Sequence, residues 1–156
     1  MDLDRSGPRE ILPPSGDAQF GLVFKYANGV EVHHVDPAGN PQSITFEGET
    51  GTIYVDRSVL KSTPESIVST PLGANDVHLP DHGQNHRRDW LNAIRTGQPT
   101  VADAEIGARS AAVCQLAIIG YQLRRPLFWS PRQERFIRDE EANQLRDLPR
   151  RPPWKL

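Results

Sequence analysis

The chain has 156 residues, 18 basic and 20 acidic side chains, a net charge of −2, 37% apolar residues and one cysteine. That length fits one domain with a real hydrophobic core, and the interspersed charge leaves no basic footprint for nucleic acid or an anionic membrane. Cys114 has no intrachain disulfide partner, no stretch approaches the ~18 apolar residues of a membrane span, and the N-terminus lacks a signal-peptide core, so a soluble, reducing, cytoplasmic setting is expected.

Residues 1–19 are polar and proline-rich around Ile11-Leu12 and read as an extended arm. From Phe20 the chain alternates, with Phe20, Leu22, Phe24 and Tyr26 on one face. Asn28-Gly29 then provides a hairpin turn, because both residues tolerate positive φ, and Val30 to Val35 returns as the partner strand. After the Asp36–Gln42 loop, Ile44-Phe46 and Ile53-Val55 form a second pair about the Gly48–Gly51 turn. A short strand from Val59 to Lys61 follows. Residues 62–83 read as mostly loop, with Pro64, Pro71, Gly73, Pro80 and Gly83.

A helix is predicted over Gln84–Thr96, with Trp90, Leu91 and Ile94 on one side and Gly97 as its C′ residue. The longest periodic stretch runs from Ala102 to Arg125. Thr100 and Asp103 are its candidate caps, and Arg124-Arg125 stand before the stop at Pro126. Because Gln115 is the one plainly polar residue from Ala111 to Tyr121, most of this helix's circumference is expected to be buried, the Cys114 thiol included. Leu127-Phe128-Trp129 and Phe136-Ile137 supply the last strands. Asp139 caps a short helix through Leu145, and Pro149 to Leu156 form an extended tail. Strands followed by helices give an α+β fold: an open-faced, mainly antiparallel sheet with helices packed on one face, in a single domain over 1–156. An open sheet face that carries aromatic residues calls for a partner.

No residue set forms a complete active site. His78, His82 and His86 recur at four-residue intervals, but Pro80 and Gly83 oppose a continuous helix and no cysteine completes a zinc set, so no metal is expected. His33 and His34 alternate across a strand and point to opposite faces. There is no G-x-S-x-G elbow, no Walker A motif, and no G-x-G-x-x-G between strand and helix, since Gly48-x-x-Gly51 is a hairpin turn. On its own residues the chain binds no cofactor.

The segments FGLVFKYANGVEVHH, ITFEGETGTIYVDR, QNHRRDWLNAIRTGQPTVADAEIGARS and the ending RPPWKL together resemble the C-terminal domain of the Gfo/Idh/MocA oxidoreductases, the glucose–fructose oxidoreductase and inositol dehydrogenase family. The resemblance implies a companion N-terminal Rossmann domain that binds NAD or NADP. It also implies a C-terminal open antiparallel sheet that shapes a sugar or cyclitol pocket and makes a homo-oligomer through its face. The chain departs from that pattern. It lacks the Rossmann domain and the Glu-Lys-Pro motif with its catalytic lysine, its lysines being Lys25, Lys61 and Lys155 alone, so no catalytic residue is expected here. Met1-Asp2-Leu3-Asp4 resembles an internal stretch of such proteins, which suggests a start partway through the C-terminal domain. Ala108 stands where this branch often has histidine.

Two expectations follow. One is a piece of an NAD(P)-dependent sugar oxidoreductase, inactive alone, with a separate Rossmann-domain chain as possible partner. Its substrate contacts would come from His82, Asn85, His86 and Arg109, polar groups at or near helix starts. The other is a stand-alone, non-catalytic binding or oligomerisation module that uses the open sheet face.

Overall fold

The computed structural model describes residues 7–37, 40–76, 78 and 85–147. Two compact units emerge: residues 1–35 with 90–156, and residues 36–89.

The first unit is built on a five-stranded antiparallel sheet of order β3-β2-β1-β7-β8. Its strands are β1 (Glu10–Leu12), β2 (Leu22–Lys25), β3 (Glu31–His34), β7 (Leu127–Ser130) and β8 (Arg135–Phe136). The hairpin of β2 and β3 turns where the sequence places it. Gly29 adopts a φ of 85°, and Asn28 Oδ1 accepts the Val30 N–H at 3.2 Å.

The arm expected at the N-terminus is corrected where it is described. Its Glu10–Leu12 segment is the middle strand, with Ile11 opposite Phe24 on one side and Leu127 on the other. Ile11, Leu22, Phe24, Leu127, Trp129 and Phe136 fill the core. Register gives the reason: these residues share one face of the pleat, whereas Glu10, Lys25, Glu31, His33 and Phe128 lie on the other. That second face is mixed: Leu12, Val23 and Phe128 share it with a polar cluster in which Glu31 is bound to Lys25 Nζ at 3.2 Å and to His33 Nε2 at 3.1 Å.

The core face is covered by α3 (Ala104–Leu123), capped by Asp103, whose side chain accepts the Ile106 N–H. Gly120 lets the helix approach closely, since a Cβ there would lie 2.9 Å from both Ile11 Cγ2 and Leu22 Cδ1. The Tyr121 hydroxyl accepts the Leu22 N–H at 3.2 Å and bonds His34 Nδ1 at 2.7 Å. His33 and His34 therefore do serve opposite faces. The expectation that most of α3's circumference is buried is corrected, however. Leu116, Ile119 and Gly120 are buried, while Ile118 is 58% exposed and the Cys114 thiol is exposed. A helix on a sheet buries one stripe, however apolar its remaining surface.

The short helix α4 (Glu140–Gln144) is capped by Asp139, as the sequence predicts. Asn143 clamps β8 by accepting the Phe136 N–H and donating to the Phe136 carbonyl, both at 2.9 Å. Arg125 joins Asp139 and Glu141, and this hydrogen bond holds the Asp139 carboxyl below its ordinary 3.8. A carboxyl with a lowered folded-state pKa contributes stability that is present above its unfolded value and lost as pH falls through the folded one. We therefore expect part of the acid-induced fall in Tm, beginning as pH drops through 3.8, to disappear in Asp139→Asn. Parallel melting curves of the two proteins from about pH 7 to about pH 2.5 would contradict this role.

The second unit holds a three-stranded antiparallel sheet, β4 (Ile44–Gly48), β5 (Gly51–Val55) and β6 (Leu60–Thr63), and the single-turn α1 (Ser66–Ser69) within the stretch expected to be mostly loop. Register places Ile44, Phe46, Ile53, Val55 and Leu60 on one face and Thr45, Glu47, Thr52, Tyr54 and Lys61 on the other. Ile67 of α1 sits over the Gly51 end of the apolar face. Further along, Ile44, Phe46 and Leu60 are 58%, 56% and 62% exposed. The α+β class and the antiparallel pairing agree with the sequence; the strands divide between two sheets.

The helix α2 (His86–Thr96) begins at the end of the second unit and continues into the first. Its expected apolar side is exposed, Trp90 at 59% and Ile94 at 63%. No helix among the described residues is long and apolar enough to cross a membrane. The tail expected over 149–156 lies outside the described residues.

Candidate functional site

Of the sequence-predicted site residues, His82 lies outside the described part of the chain. Asn85 and His86 stand together at the start of α2. Asn85 is its N-cap: Oδ1 accepts the N–H groups of Arg87 and Arg88, each at 3.1 Å, which leaves that oxygen committed to the helix end. His86 is the first helical residue and is exposed.

Arg109 belongs to the other unit, in the second turn of α3. Its Nε donates to Glu105 at 2.9 Å, Nη1 donates to the Pro131 carbonyl at 2.6 Å, and Nη2 lies 3.3 Å from Glu134. The side chain is 14% exposed, and two carboxylates neutralise its charge. Its geometry ties α3 to the segment after β7, a role that i,i+4 spacing from Glu105 alone would not reveal.

Beside Arg109 the first unit contains a cavity of about 440 Å³, bordered by Pro8, Arg109, Val113, Leu116, Trp129 and Arg146. Such a volume matches a small organic ligand. The Arg146 guanidinium stands 5.8 Å over the Trp129 ring, and Trp129 packs edge-on against Phe136 at 5.0 Å. The lining is mixed: Pro8, Val113, Leu116 and Trp129 stand beside Arg109, Glu134 and Arg146. The described lining has no serine, cysteine, histidine or lysine; its titratable acids are Glu134 and Asp147. What the cavity offers is a half-open hollow in which an apolar moiety can lie beside polar groups. The alternation of Leu127 and Trp129 signals that Trp129 points inward; nothing in the sequence signals Arg146, which arrives through the fold of α4.

Among the described residues, no group of three His, Cys, Asp or Glu side chains could hold a metal. His78 Nε2 donates to the Gly73 carbonyl oxygen at 2.8 Å, within its own loop.

Antiparallel sheets, a covering helix and a ligand-sized cavity define an α+β domain able to shape a pocket. Residues 18–156 match the family model described as "Oxidoreductase family, C-terminal alpha/beta domain", and the chain belongs to that Gfo/Idh/MocA family of C-terminal domains. No curated protein and no solved structure matches the chain.

Proposed function

We propose that this chain is the substrate-pocket and oligomerisation domain of an NAD(P)-dependent oxidoreductase acting on a sugar or cyclitol, inactive without a dinucleotide-binding domain. The family match over residues 18–156 is the observation that carries this reading. NAD or NADP supplies the hydride chemistry in a complete enzyme of this kind. Among the described residues the glycine turns do not fit the dinucleotide: Gly48 and Gly51 face each other across the β4–β5 hairpin, and Gly97 follows α2 instead of opening a helix. A pyrophosphate cradle needs a glycine turn that leads into a helix N-terminus. No step of hydride transfer is assigned to these residues. Within the first unit, substrate contact falls to Arg109, which would exchange an ion pair for ligand hydroxyls; Asn85 and His86, in the other unit, are tested separately by substitution. The decisive test is whether the chain alone takes up dinucleotide.

The alternative, a stand-alone oligomerisation module, is favoured by the charge-free β4–β6 face with Ile44, Phe46 and Leu60 exposed. A second copy of the chain is the occupant that meets no charge on either side. Light scattering tests it: the wild type is expected to be dimeric or larger, and Phe46→Lys to become monomeric with an unchanged circular-dichroism spectrum. A monomeric wild type at tens of micromolar (roughly −6 to −7 kcal/mol) would remove oligomerisation from the proposal.

A further inference from the structure

We draw no further inference here: the strongest candidate, the solvent-facing apolar side of α3 that carries Ile106, Cys114 and Ile118, is an unpartnered helix face, and nothing in the structure shows what covers it.

Discussion

Replacing Ile11 by Ala is expected to destabilise the domain by about 2–5 kcal/mol, through lost transfer energy and the cavity left behind. Ile11 is fully buried in the central strand, between Phe24 and Leu127 and beneath Gly120 of α3. For a chain of this size, a loss of about 3 kcal/mol lowers Tm by roughly 6–12 °C. Chemical denaturation should show a lower midpoint at an unchanged slope, because the surface exposed on unfolding is the same. The neighbouring Leu12 is half-buried on the opposite face and should lose less on truncation. An Ile11→Ala protein within about 0.5 kcal/mol of wild type, as is usual for surface positions, would mean that the segment is an arm after all and that the five-stranded order is wrong.

The second large effect is expected at Gly120, where Val would place its Cβ 2.9 Å from side-chain atoms of both Ile11 and Leu22. Ile11 is branched at Cβ and fixed between two strands, so it has little room to yield. Overpacking of this kind costs about 1–3 kcal/mol, against a helix-propensity difference from Gly of at most about 1 kcal/mol. Gly107 in the same helix is the control. A Cβ there meets nothing within 4 Å, so Gly107→Ala should stabilise by up to about 1 kcal/mol. Because Gly120 and Ile11 touch, their substitutions should not add: Ile11→Ala opens the space that Gly120→Val needs, and the double variant should be more stable than the sum of the singles implies. Additive losses would place the helix elsewhere on the sheet.

What could be read beforehand was local. The Asn28-Gly29 turn, the Asp103 and Asp139 caps and the alternation of Leu22 and Phe24 each depend on residues close in sequence, and each forms as read. β1 escaped notice because its three residues lie between Pro8 and Pro13, too short for a period to show, and its place is set by hydrogen bonding to strands distant in sequence. The partial burial of α3 has a related cause. Periodicity shows that a helix is apolar, but the number of its sides that are covered depends on which elements pack against it. The same holds for Trp90 and Ile94, whose spacing marks an apolar side without supplying a partner. Of the candidate site, the polar residues at helix starts were visible, but their occupation was not. The Asn85 cap follows from its position before α2, whereas the carbonyl of Pro131 and the carboxylate of Glu134 reach Arg109 only through the chain's return after β7. The cavity that Trp129 helps to line is likewise a product of that return.

We propose that these residues form the pocket and assembly part of an oxidoreductase and do not hold the dinucleotide themselves. The most direct test is a thermal-shift titration of the purified chain with NAD(H) and NADP(H). A ligand that binds only the folded state raises its stability by about 2.7 kcal/mol at a hundredfold excess over Kd, which is roughly 5–11 °C in Tm for a chain of this size. No shift is expected at millimolar dinucleotide. A saturable rise in Tm with either cofactor would contradict it, because the chain would then carry a nucleotide site of its own.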